Sequence, residues 1–164
     1  MKYSTPVVSI DLGAIKNNYK TIQKFCNSSE VCGTVKASSY GLGGQNKVVT
    51  KLAQSGCKRF FVAHIGEGLN IRAKFKKLTV NILNGCNVGE ENILYKNNLT
   101  PVINTFEQLK RWLNFLKNKK KDKLVIHFDT GMCRLGIQED DLSKVLKLKN
   151  EIDQFKEVII MSHL

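Results

Sequence analysis

A chain of 164 residues, 42% hydrophobic and 24% charged, has the composition of an ordinary globular domain and the length for one real core. Its net charge of +12 raises nucleic acid and anionic surfaces as partners. The lysines are spread along helix-like stretches, however. The one dense run, Lys117, Lys119, Lys120, Lys121 and Lys123, is broken by Asn118 and Asp122 and has no arginine–aromatic platform or zinc-finger spacing beside it. We therefore read it as a solvated helix end and expect no nucleic-acid partner.

The five cysteines are odd in number, far apart, and form no Cys-x-x-Cys pair. They read as free thiols, which favours a cytoplasmic location. The opening MKYSTPVVSIDL is too short and polar for a signal peptide or a membrane span, so no membrane partner is expected.

In chain order, Val7–Ile10 reads as a short strand and Asp11 as a helix cap. Leu12, Ile15, Tyr19, Ile22 and Phe25 then form one apolar stripe. Residues 31–35 read as a strand, and Gly43 and Gly44 open a helix with Val48, Val49, Leu52 and Ala53 inward. Strands are expected over 59–64, 78–83, 100–103, 123–129 and 158–163. Helices are expected over 67–75, near 88–96, from Thr105, and over 139–155. Thr105 with Gln108 has the spacing of a capping box.

This regular alternation specifies an α/β protein with parallel strands, either an open doubly wound sheet or a barrel wall. No Gly-x-Gly-x-x-Gly follows the first strand. Polar residues stand at several strand ends: Lys36, His64, Asn84, Asn104, Asp129 and His163. That distribution favours an incomplete (β/α)8 TIM-type barrel with about six strand–helix units.

Two stretches carry the chemistry. In VCGTVKASSYGLGG, Lys36 stands at the carboxyl end of its strand, with Cys32 and Thr34 on the same face. A strand-terminal lysine either snorkels to solvent or, desolvated, attacks a carbonyl. In IHFDTGMCRLG, Arg134 leaves the loop after the strand. It either grips an anion through its planar fork or pairs with Asp129 or Glu139 at the surface.

VKASSYGLG resembles the pyridoxal-phosphate signature of alanine racemases, VKANAYGHG, and DTGMCRLG resembles their second hallmark, DTGM-x-RLG. The opening VVSIDLGAIKNNY, FFVAHIGEGLNIR, LTPVINTFEQL and the final MSHL agree in order, so the resemblance covers the whole chain. It implies a (β/α)8 barrel followed by a mostly β domain, in a homodimer, with pyridoxal 5'-phosphate as cofactor and alanine as small-molecule substrate. By resemblance, Lys36 would form the Schiff base and later act as acid–base. Tyr40 would hydrogen-bond the phosphate. Arg134 would face the phenolic oxygen and the substrate carboxylate. His163 would lie beside the ring, and no metal is implied.

Ser38 and Leu42 depart from the family's usual Asn and His. His127 stands where many members carry a carbamylated lysine that orients the arginine. Histidine cannot hold a carbamate, so we expect a packed strand histidine and another counter-ion for Arg134. Residues 1–164 read as the N-terminal part of such a barrel with the C-terminal β domain absent, through a split gene, a premature stop or a shortened chain. The implied activity is L-/D-alanine interconversion for peptidoglycan, with this length of chain inactive alone. The alternative is a non-catalytic pyridoxal-phosphate-binding protein or a degenerate remnant.

Overall fold

Apolar residues recur alternately at steps of two and of three to four, and the backbone follows them. The computed structural model describes residues 6–163. Six strands, β1 (Gly33–Thr34), β2 (Arg59–Val62), β3 (Thr79–Ile82), β4 (Leu99–Ile103), β5 (Lys123–His127) and β6 (Glu157–Met161), form one parallel sheet in sequence order. Helices α1 (Leu12–Cys26), α3 (Gln45–Gln54), α4 (Ile65–Lys74), α5 (Glu91–Lys96) and α6 (Phe106–Phe115) lie between or before them, with a short turn α2 (Lys36–Tyr40) after β1. Helices α7 (Leu142–Leu146) and α8 (Lys149–Ile152) precede β6.

An order with no reversal has no doubly wound switch point, and one contact shows that the sheet curls. Arg59 on β2 reaches Glu157 on β6, its Nη2 donating to Oε1 at 2.6 Å. In a flat sheet these strands would stand about 19 Å apart, four spacings of about 4.8 Å. The sheet is therefore the wall of an incomplete barrel, as the polar strand ends implied.

The outer face of the wall carries the main core. Val62, Val80, Ile82, Leu99, Ile103, Leu124 and Ile126 meet Val49, Ile71, Leu94, Leu109 and Trp112 from the helices, all buried. At roughly 2 kcal/mol for each large apolar side chain, this layer is the principal favourable contribution to folding. The inner face carries Lys36, Phe61, Asn81, Asn104 and His127, because every second residue of a strand points inward.

Three expectations are corrected. Val7–Ile10 pairs with no described strand, and Val7 and Val8 are 87% and 78% exposed. Its alternation is strand-like, but among the described residues β1 pairs only with β2. The stripe of α1 is only partly buried: Tyr19 is in the core, while Ile22 and Phe25 are 50% and 85% exposed. Helix α1 precedes the first paired strand and packs mainly on α3, so its last turns overhang the sheet. The single helix expected over 139–155 is a 3-10 turn (Glu139–Asp141) followed by α7 and α8, broken at Lys147 and Leu148.

Candidate functional site

At the end of β1 the backbone reverses hand. Ala37, Ser38 and Ser39 have φ/ψ near +50°/+50°, and Tyr40 and Gly41 continue at φ 58° and 78°. Left-handed turns cost L-residues about 1–2 kcal/mol each, so something must hold this one. The Gly41 N–H donates to the Ala37 carbonyl at 2.8 Å and the Gly43 N–H to the Ser38 carbonyl at 3.0 Å. Glu67, three residues after His64, supplies the third tie. Its Oε1 accepts from the Ser38 N–H at 3.2 Å, and its Oε2 from the Ala63 and His64 N–H groups at 2.8 and 3.3 Å. Lys36 and Tyr40 flank the turn and line the same cleft.

Ser38 is exposed and makes no side-chain contact that the turn needs. Ser38→Gly is expected to raise unfolding stability by about 0.5–1 kcal/mol, the left-handed penalty less the entropy of glycine. A chemical denaturation midpoint reads this, and a lowered midpoint would show that the serine is not strained.

The second element follows β5. The Ile137 N–H donates to the His127 carbonyl at 2.7 Å and the Asp129 N–H to the Ile137 carbonyl at 3.0 Å, closing a loop over residues 129–136. Inside it, Asp129 Oδ1 accepts from the Gly131 and Cys133 N–H groups, both at 3.0 Å, and Oδ2 from Gln138 at 3.1 Å. Gln138 first, then those backbone donors, hold the Asp129 carboxyl below its ordinary range. Asp129 therefore shapes the loop. Arg134 at its tip is left without a carboxylate among the described residues and faces the cleft.

Strand ends β1, β2, β3, β5 and β6 and this loop enclose a cleft of about 630 Å³. Lys36, Tyr40, Asn84, His127, Arg134 and His163 supply its polar lining, and Phe61, Leu83, Leu135 and Met161 its apolar walls. All four residues expected at the site, Lys36, Tyr40, Arg134 and His163, thus meet at one cavity. Of the other polar strand ends, Asn84 lines it, whereas His64 caps α4 and Asn104 lies buried behind His127. His127 is the buried strand histidine expected, at 6% exposure, yet it also reaches the cleft. Cys32 lies there too. Burial first, then the Glu30 charge, pushes its thiol up to about 11, so it remains protonated near neutrality. Glu67 and Asn104 act through neighbours; both lie inside stretches that carry the resemblance, FFVAHIGEGLNIR and LTPVINTFEQL, but nothing in those stretches assigned either residue a role at the site.

The fold and the cleft define a barrel-type protein whose site is assembled at the carboxyl ends of its strands around an amine and a guanidinium. The family model "Alanine racemase, N-terminal domain" matches residues 10–164, and the chain belongs to that family. A catabolic alanine racemase of Agrobacterium fabrum is 36% identical over 159 residues, covering 96% of this chain and 41% of that protein. The alanine racemase of Acidiphilium cryptum is 34% identical, covering 97% of this chain and 44% of that protein. The crystal structure of alanine racemase from Bartonella henselae, with covalently bound pyridoxal phosphate, superposes with a TM-score of 0.88 at 34% identity. That match covers 94% of this chain and 45% of that one. The chain therefore spans less than half the length of these relatives.

Proposed function

We propose that this chain supplies the lysine-bearing part of a pyridoxal-phosphate-dependent alanine racemase, interconverting L- and D-alanine for peptidoglycan. The observation that carries this reading is the position of Lys36. Its half-buried amine opens into the cleft and makes no ion pair with a described carboxylate. A planar group bearing an aldehyde and a phosphate fits this lining: an amine for the aldehyde, a hydroxyl and a guanidinium for anionic oxygens, and apolar walls for a ring.

When bound, pyridoxal 5'-phosphate supplies a ring into which the electron pair left by α-deprotonation can spread. The side chains do the rest. Lys36 Nζ would hold the cofactor at its aldehyde carbon, with loss of water, and would serve as the group that takes or returns a proton at the substrate α-carbon. The Tyr40 hydroxyl donates to phosphate oxygen. The Arg134 fork holds the substrate carboxylate and the phenolic oxygen, and His163 flanks the ring. A homodimer belongs to the same reading, as does a cytoplasmic location; no described helix is long and apolar enough to cross a membrane.

Adding pyridoxal phosphate to the purified chain is expected to produce a visible-edge absorbance band. Borohydride should fix the label on Lys36 in a peptide map, and Lys36→Ala should abolish both. A label on another lysine overturns the assignment. The 164-residue chain alone is expected to bind without turning over L-alanine, and robust turnover would overturn that part.

A further inference from the structure

Behind the cleft, the side chain of Asn104 settles the state of His127. The Asn104 Nδ2 donates to the carbonyls of Leu83 at 2.8 Å and Val102 at 3.0 Å. Both amide hydrogens are thereby used, and Oδ1 is the face turned to His127, whose Nδ1 lies 2.8 Å away. An amide oxygen only accepts, so Nδ1 carries the proton. In a neutral ring Nε2 is then an acceptor, and His127 lines the cleft that Arg134 enters from the loop.

The surroundings keep the ring neutral. Burial comes first in lowering its proton affinity. Asp129, just past the end of its own strand, opposes this, and His163, just past β6, and Arg134 from the loop lower it further. Facing it from β4 is Asn104, which is uncharged.

We propose that His127 is a positioning residue, locked by Asn104 in its Nδ1–H tautomer so that Nε2 accepts a hydrogen bond from the Arg134 guanidinium. This rests on the reading of Arg134 as an anion-gripping group, while the tautomer itself does not. An arginine without a described carboxylate thereby gains an oriented, uncharged acceptor, and the guanidinium keeps its full charge for a bound carboxylate or phenolate. The arrangement has one acid-sensitive point. A proton on Nε2 converts the acceptor into a second cation beside Arg134 and drives the two apart.

The test is nitrogen-15 NMR of the full 164-residue chain. His127 is expected to show a protonated Nδ1 and an unprotonated Nε2 at neutral pH. The Arg134 Nε–H signal should move in step with His127 as pH falls below about 6.5, the ordinary histidine value. Asn104→Asp should carry both transitions to higher pH together, since a carboxylate beside Nδ1–H favours the imidazolium. His127→Gln, which places a non-titrating carbonyl oxygen near the Nε2 position, should remove the step. Pyridoxal-phosphate uptake, followed by absorbance, should weaken across the same step in the natural chain and not in His127→Gln. An Nε2–H tautomer, or an Arg134 signal indifferent to the His127 titration, overturns the proposal even if His127→Gln fails to fold. A chain that takes up no pyridoxal phosphate at any pH, yet shows the coupled titration, would instead overturn the cofactor reading.

Discussion

Gly136→Ala is expected to lower the melting temperature by roughly 10 °C and to release the Arg134 loop, although the substitution adds one methyl group. Gly136 has φ 120°, outside the range of L-residues. A Cβ built there would lie 2.5 Å from the Asp129 backbone nitrogen and 2.8 Å from the Phe128 carbonyl carbon. Neither is the end of a flexible side chain, so relief must come from the backbone. The atoms that would move are those of the pair closing the loop, the Ile137 N–H on the His127 carbonyl and the Asp129 N–H on the Ile137 carbonyl. Strain and overpacking together cost about 3 kcal/mol. Thermal melts read the stability, and the Arg134 Nε–H signal reads the loop. An alanine variant with an unchanged melt and an unchanged Arg134 signal would show that the loop adapts freely. The same geometry gives the last glycine of DTGMCRLG its physical reason, since it lets the loop turn back flat against the end of β5.

The sequence carried this loop's ends but not its interior. Alternation of apolar residues located all six strands and the amine at the end of the first, because a buried wall needs its inward and outward faces wherever it runs. It could not reveal the break between α7 and α8. Val145, Leu148, Ile152 and Phe155 keep helical spacing across a kink at Lys147 and Leu148, and periodicity is blind to a kink that preserves the face. Nor could it show that Val7–Ile10 lacks a neighbour, since strand propensity says nothing of who pairs. At the site, Lys36, Tyr40, Arg134 and His163 were legible because motifs carry them. Asn104 was visible only as a polar strand end. Its effect on His127 depends on two backbone carbonyls, of Leu83 and Val102, whose directions no side-chain pattern encodes. Glu67 was hidden similarly: it ties down a left-handed turn that right-handed propensities give no reason to expect.

Arg59→Met is expected to destabilise the chain by about 2 kcal/mol, and Arg59→Met combined with Glu157→Leu to recover part of that loss. Arg59 is the centre of a polar chain across the inner face of the wall. Its Nε donates to Glu30 at 3.1 Å and its Nη2 to Glu157 at 2.6 Å. Lys123 stands 3.9 Å from Glu157 and donates to Thr79 at 2.7 Å. The guanidinium side chain is 11% exposed, whereas those of Glu30 and Glu157 are 49% and 37% exposed. Removing the arginine strands two carboxylates that still reach water, so the cost falls below the 3–5 kcal/mol or so of a fully buried pair. Replacing both partners of the β2–β6 contact removes the stranded charge on Glu157, and recovery therefore measures coupling rather than the worth of either residue. The contact also joins two strands that only a curled sheet brings together. Loss of Arg59 should accordingly speed amide exchange in β6, the last strand of the described sheet, whose outward-facing Val158 and Ile160 are exposed, more than in β3 and β4 at the middle of the wall. Uniform acceleration across all six strands, or a double variant no more stable than the single one, would mean that Arg59 acts on its own neighbours and does not hold the curvature.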